Sequence, residues 1–231
     1  MTRRIRLESH LTDNPPARIT ITHAQKDSQS WQQYLQGADK RYADFSLEGV
    51  TEDHAEAGLQ SDTWCTLAWI NGELAGGMRM HVAARLPILD ELNGYINPRG
   101  LALLIQARQA DGVVHCGGLW VSQQFSGYLH LASDLARSHL VLVRLAGARW
   151  SIGTSAEHTL EAWSSLGYRA EPSIPPFPYP DDRYQTRVVW ADMWRLHDVA
   201  ESLDAWADCE ASRIDALGPG HNATITPFRR T

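Results

Sequence analysis

The chain has 231 residues, 43% of them hydrophobic and 21% charged, with a formal net charge of −6; that bounds it to one core of ordinary globular composition, with room for appendages. Basic residues cluster only at the ends, as Arg3-Arg4-Ile5-Arg6 and Arg229-Arg230, which argues against a nucleic-acid partner because phosphate-backbone affinity needs massed Lys and Arg. No apolar run approaches a membrane span, and the early arginines are not followed by the apolar core of a secretory signal.

Residues 1–16, ending in Asn14-Pro15-Pro16, are expected to form a loose leader. Arg18-Ile19-Thr20-Ile21-Thr22 alternates β-branched residues and predicts a first strand. Trp31, Tyr34, Leu35, Ala38 and Tyr42 recur at helical spacing, predicting a helix over 28–45. The acidic stretch 48–62 reads as a loop or short helix. A strand over 63–70, the turn Asn71-Gly72 and a returning strand over 73–82 form a hairpin. Gly76 and Gly77 in the returning strand mark a bulge or a close approach to the backbone. Helical candidates follow at 85–92 and 101–110. Next come a strand through His115, a polar loop with Gly127, a helix ended by Gly147, a strand over 149–154 and a shorter helix over 157–166. The long helix is apolar except for a stripe of Asp134, Arg137 and Arg144, so it is packed on most sides. Five prolines in 172–182 predict a loop of restricted shape, without regular structure. A strand over 184–190 and a C-terminal helix over 194–217 complete the chain. Two antiparallel strands, a βαβα run and a last strand indicate a mixed α/β sheet.

Cys65, Cys116 and Cys209 lie far apart with no CxxC spacing, which points to reduced thiols in a cytoplasmic protein and to no structural zinc site. Nine tryptophans fit either an aromatic-lined cavity or a Trp-rich core.

The stretch from His115 to Tyr168 organises the rest. A strand running through a short loop into a helix leaves unpaired amides at the helix start, a ready anion site. Leu119-Trp120-Val121 ends the strand, and Gln124-Phe125-Ser126-Gly127-Tyr128-Leu129 forms the loop. Gly147-Ala148-Arg149-Trp150 and Trp163-Ser164-Ser165-Leu166-Gly167-Tyr168 close the pattern. This order resembles the GNAT superfamily of acyltransferases over roughly residues 17–192. The hairpin Asn71-Gly72-Glu73-Leu74-Ala75-Gly76-Gly77-Met78-Arg79, and Lys40-Arg41-Tyr42-Ala43-Asp44-Phe45 before it, are similar to one branch, the acyl-homoserine-lactone and N-acyl amino acid synthases. The resemblance implies a mostly antiparallel mixed sheet flanked by helices, with 1–16 as leader, 17–192 as the acyltransferase domain and 193–231 as a helix and tail.

It also implies acyl-coenzyme A, or an acyl group on a phosphopantetheine arm, as co-substrate, with no tightly bound cofactor and no metal. Leu119, Trp120, Val121, Gln124, Phe125, Ser126, Gly127, Tyr128 and Leu129 are then the donor-binding residues, joined by Trp163. Leu129 stands where the family loop ends in a small residue, and Trp163 where many members carry a tyrosine that protonates the leaving thiolate. Indole N–H is no such acid. With few basic residues near the loop, these departures favour a donor tethered to an acyl carrier protein over plain acetyl-coenzyme A.

His115 sits where many relatives place the residue that deprotonates the acceptor amine, and an imidazole suits that work; it equally reads as a sheet histidine bonded to a neighbouring strand. His158 is a catalytic candidate at the second helix, or a capping histidine. Cys116 alternates with His115 onto the opposite face and reads as an inert thiol. Arg79 either clamps an acceptor carboxylate or forms a structural ion pair. Thr154 and Ser155 contact donor and acceptor, or cap the next helix. Trp120 lines the acyl cavity or the core.

The expectation is an N-acyltransferase moving an acyl group from a thioester to a small-molecule amine by direct attack, with no nucleic-acid or membrane partner; the resemblance allows a homodimer. The alternative is a catalytically degenerate module that binds acyl thioesters or regulates. A lactone-forming synthase ranks last among the enzymes, since no S-adenosylmethionine signature is present.

Overall fold

The computed structural model describes residues 17–47, 62–82, 86–128, 130–196 and 223–225. The expected leader, the acidic stretch 48–61, the start of the helical candidate at 85, Leu129 and the expected helix beyond residue 196 lie outside the described residues.

The elements in chain order are β1 (Arg18–His23), α1 (Ser28–Ala43), β2 (Asp62–Ile70), β3 (Glu73–Val82), α2 (Ile88–Glu91), α3 (Pro98–Arg108), β4 (Val113–Val121), α4 (Leu131–Leu145), β5 (Trp150–Ala156), α5 (Leu160–Ser164), β6 (Tyr168–Ala170), β7 (Phe177–Pro178), β8 (Gln185–Asp192) and β9 (Ala223–Ile225). Local chemistry sets most of their ends. Asp27 caps α1 by accepting from the Ser30 amide at 3.0 Å. Asn97 caps α3, with Pro98 at its first turn. Asn71 and Gly72 both take positive φ, as a tight two-residue hairpin requires, and Gly147, at φ +63°, stops α4.

One nine-stranded sheet runs β6-β8-β5-β4-β3-β2-β1-β9, with β7 also paired to β8. It is the mixed, mostly antiparallel sheet that the sequence implies. Helices α1, α2 and α3 cover one face, through clusters around Trp31, Tyr34 and Leu67 and around Ile88, Leu101 and Ile152. On the other face α4 buries Leu131, Leu135 and Leu140 to Val143 against Ile19, Met80 and Val114. Burial of these apolar faces, at about 25 cal/mol per Å², is the main force holding the layers together.

Three features depart from the sequence reading. The proline-rich segment is not wholly irregular, because Phe177 and Pro178 pair with Thr186 and Gln185 at the sheet edge, where proline is tolerated. The second helix is a 3-10 turn, Glu157–Thr159, followed by the single turn of α5. Finally, β9 pairs with Ile19, Thr20 and Ile21 of β1, so the C-terminal region adds a strand to the sheet.

Two irregularities shape the centre. Among the described strands the only parallel pair is β4 with β5, and it spans only Val113↔Trp150 to His115↔Ile152. Beyond it β4 continues to Val121 and β5 to Ala156, so the strands part. In the β3–β4 ladder, Gly77 opposes Trp120 while Arg79 opposes Gly117, so Gly118 and Leu119 share one partner. That bulge, with Gly118 at φ +59°, inserts one residue and reverses the alternation of faces. Trp120 therefore joins the α1 face, while Leu119 packs with the clusters of the α4 face.

Candidate functional site

The parting of β4 and β5 opens a cavity of about 530 Å³. Side chains from both faces of the sheet line it: Arg79, Glu91, His115 and Trp120 on the α1 side, and Cys116, Leu119, Trp163 and Tyr168 on the α4 side. Tyr42 and Phe45, at the end of α1, and Tyr179 and Tyr184, from the segment before β8, also face it. The size and the mixture of apolar walls with few polar groups are those of a small-molecule site.

The α1 side holds a buried polar cluster built on β3, β4 and α2. Arg79 is 2% exposed. Its Nη2 donates to Glu91 Oε1 at 2.8 Å, and its Nη1 donates to His81 Nε2. Having accepted there, His81 donates from Nδ1 to Thr63 Oγ1 at 2.8 Å. Burial works against the charge on Arg79, but Glu91 and the phenols of Tyr34 and Tyr42 outweigh it and hold the guanidinium firmly protonated. His115 stacks on His81 with ring centroids 5.7 Å apart. Its Nε2 lies 3.8 Å from Glu91 Oε2, beyond hydrogen-bonding distance, and its Nδ1 has no partner among the described residues. Burial pulls the His115 pKa from 6.5 to about 4, with Arg79 reinforcing and Glu91 opposing. The ring is therefore neutral near pH 7. Tyr34 fastens the bulge from above, its hydroxyl donating to Gly118 O at 2.9 Å.

The α4 side holds a second network. His139 Nδ1 donates to the Ala136 carbonyl, so Nε2 accepts from the Tyr168 hydroxyl. Ser151 donates to the Tyr168 oxygen at 2.7 Å, and Cys116 Sγ lies 3.1 Å from it. Burial pushes the Cys116 thiol up, leaving it protonated, and pulls His139 down to about 4. Trp163 covers the network edge-on, 5.1 Å from the Tyr168 ring.

No family model matches the chain. Two uncharacterised mycobacterial proteins, from Mycobacterium bovis and from Mycobacterium tuberculosis H37Rv, are each 30% identical over 191 residues, covering 80% of this chain and 72% of the relative. The chain belongs to their family. Among solved structures it is similar to FeeM, an N-acyl amino acid synthase from uncultured soil microbes, with a TM-score of 0.58 and 11% identity over 79% of this chain and 94% of that one. ElaA of Escherichia coli gives 0.53 and 17% over 76% and 99%, and BjaI, a CoA-dependent acyl-homoserine lactone synthase, 0.52 and 13% over 85% and 90%. The fold is the GNAT fold.

Within that fold the candidate residues separate. His115, Arg79, Thr154, Ser155 and His158 all border the cavity, as do Leu119, Trp120, Val121 and Trp163. Arg79 bonds Glu91 and His81 through its terminal nitrogens, while its Nε is buried with no hydrogen-bond partner among the described residues. Ser155 donates to the Ala156 carbonyl and lies 3.1 Å from Thr159 Oγ1. His158 is exposed at the rim, tilted against Tyr184. The loop residues Gln124, Phe125, Ser126, Gly127 and Tyr128 do not line the cavity. Phe125 is buried in the core of the α4 face with Tyr128 packed on its edge, and Gln124 donates to Glu73 at 2.7 Å. The amides of Phe125, Ser126 and Tyr128 donate to Ser122, Gln123 and Phe125 carbonyls, folding the loop on itself.

Glu91, Tyr42, Tyr179 and Tyr184 were not among the sequence candidates. Glu91 lies next to Asp90 in the short helical candidate 85–92, and only the fold brings it to Arg79. The shared face of Arg79 and His81 was legible from strand alternation.

Proposed function

We propose that the chain is an N-acyltransferase that moves an acyl group from a thioester, carried by coenzyme A or by the phosphopantetheine arm of a carrier protein, to the amine of a small molecule. The observation that carries this reading is a neutral, buried imidazole with an unpartnered ring nitrogen, His115, on the wall of a cavity where two strands of a GNAT sheet part. The solved relatives support it: FeeM is an N-acyl amino acid synthase, and BjaI is a CoA-dependent synthase whose structure contains isopentyl-CoA.

The chemistry is direct attack. The amine nitrogen adds to the thioester carbon while His115 takes its proton, directly or through one water. The tetrahedral oxyanion forms against the backbone of β4 near Val121, where fixed amide donors stabilise it. Collapse breaks the C–S bond, forming the amide, and the thiolate leaves to be protonated. Cys116, protonated and buried, takes no part as a nucleophile.

Thiol release with acyl-coenzyme A and with acylated carrier protein, paired with a panel of amines, tests the reading. His115→Ala should lower turnover about 10²–10⁴-fold. Because His115 titrates near 4, the rate should show no limb of its own near pH 6.5. Full activity of the variant across pH would remove His115 from the mechanism. A module that binds thioesters without turnover is the second reading, motivated by Trp163 and by the self-bonded loop amides. Tight calorimetric binding without thiol release would establish it instead.

A further inference from the structure

One side chain stands between the cavity and the apolar layer beneath α1. From α1 and the turn after it, Arg41, Tyr42, Phe45 and Leu47 line the cavity; Gly37 and Ala38, about a turn earlier, are not among the described lining residues. Trp120 lines the cavity and is 3% exposed. The same indole belongs to the cluster under α1 with Leu35, Ala38, Cys65 and Leu67, none of which is a described lining residue. The ring is therefore the partition. Two glycines make the slot that admits it. A Cβ at Gly37 of α1 would stand 2.1 Å from Cη2 and 2.2 Å from Cζ2, and one at Gly77 of β3 would stand 3.1 Å from Nε1. That Nε1 has no hydrogen-bond partner among the described residues, a cost that an aliphatic plug would not carry. What the position supplies is volume.

We infer that Trp120 is the stop against which the donor's acyl chain ends, and that it restricts the protein to short acyl groups. The inference rests on the acyl-transfer reading and narrows its donor class. With the oxyanion forming near Val121, the thioester carbon lies next to Trp120 in the strand. Two directions are open to a chain on that carbon. One leads outward between Phe45 and Tyr184, where Phe45 is 41% exposed and where the amine enters, so methylenes there stay in water. The other leads inward to the indole, where each methylene buried raises affinity about fourfold. The inward route ends at the ring. The bulge at Gly118 and Leu119 is what puts it there, because without the extra residue Trp120 would face α4. Truncating the indole joins the cavity to the space beneath α1, whose other walls are already apolar.

A chain-length series tests this, with acetyl, butyryl, hexanoyl, octanoyl and decanoyl thioesters of both coenzyme A and pantetheine. Thiol release with one fixed amine gives kcat/KM for the wild-type chain and for Trp120→Phe, Trp120→Leu and Trp120→Ala. Wild type should peak at acetyl or butyryl and fall about tenfold or more by octanoyl. The peak should move to longer chains in the order Phe, Leu, Ala. Melting temperatures report whether each variant folds, and the Phe and Leu variants carry the test if the Ala variant does not. Adding Gly37→Ala to Trp120→Leu should pull the peak back, because the new methyl enters the vacated slot. A role in folding alone would lower the rates with all donors together and leave their ratios unmoved. Wild type using octanoyl as well as butyryl, or ratios that do not move in the variants, overturns the inference. Calorimetry of the same thioesters without amine gives the profile independently of turnover. A cut-off that moves with Trp120 while no donor releases thiol would leave the inference standing and sink the transfer reading. Binding of no acyl thioester at all would sink both.

Discussion

Two imidazoles with the same ordinary pKa, His115 and His139, are both drawn down to about 4 by burial, on opposite faces of the sheet. The unfolded chain binds protons at these positions below about 6.5, whereas the folded chain resists doing so until about 4. Stability from this source is complete above the unfolded value and is lost as pH falls through the folded one. The urea midpoint of the wild-type chain should therefore drop between about pH 7 and about pH 5, by on the order of 2 kcal/mol per histidine. A midpoint flat across that interval would show that both rings reach solvent. The sequence placed His115 on the right strand but assigned it the pKa of a free imidazole, because burial depends on chain segments far away. His139 carried no signal at all, lying inside an apolar helical run.

At the scale of elements, the strands and the long helices were legible, since alternation, an Asn-Gly turn and a terminal Gly147 are local signals. The bulge was not. Gly117-Gly118 reads as two flexible residues, and nothing in it says that Trp120 changes face. Its cause is visible only in the fold: a Cβ at Gly118 would lie 2.1 Å from the Tyr34 hydroxyl, at a positive φ that L-residues avoid. Gly118→Ala should cost roughly 2 kcal/mol or more, and adding Tyr34→Phe should return part of it. An unchanged melting temperature for the single variant would mean the bulge is not fixed as described. Gly127, in the loop between β4 and α4, differs, for a Cβ there meets nothing within 4 Å. Gly127→Ala should leave stability within about 0.5 kcal/mol of wild type. If the diphosphate of coenzyme A lies along that loop, the same change raises KM for acyl-coenzyme A while sparing an acyl-pantetheine thioester. Equal KM effects on both donors would place the nucleotide elsewhere.

For the whole molecule, the order of elements was readable because each βα unit carries its own periodicity, and that order sufficed to suggest the GNAT sheet. The site was readable only where it lay within one strand. Its other half comes from α2, the end of α1 and the segment before β8, which sequence keeps apart by dozens of residues. The docking of α1 shows how tightly these layers are fitted: a Cβ at Gly37 would stand 2.1 Å from Cη2 of Trp120. Alanine favours a helix over glycine by about 1 kcal/mol, yet overpacking of this severity costs about 1–3 kcal/mol and more where backbone must move. Gly37→Ala should accordingly lower the melting temperature, and Trp120→Leu in the same chain should relieve it. A more stable Gly37→Ala would show that α1 floats free of the sheet.

The short register of β4 with β5 has a further meaning. A strand margin normally lies at the outside of a sheet, where lysines, prolines or a covering loop keep other chains from adding to it. Here part of such a margin stands in the middle, where β4 runs on past Cys116 without β5 beside it, guarded by the narrowness of the gap. Amide hydrogen exchange along residues 117–121 should therefore be faster than along 113–115, and should slow when an acyl-pantetheine arm fills the breach. On that view the donor completes the sheet as well as reacting in it, and a chain kept saturated with donor should resist heat and aggregation better than the same chain alone.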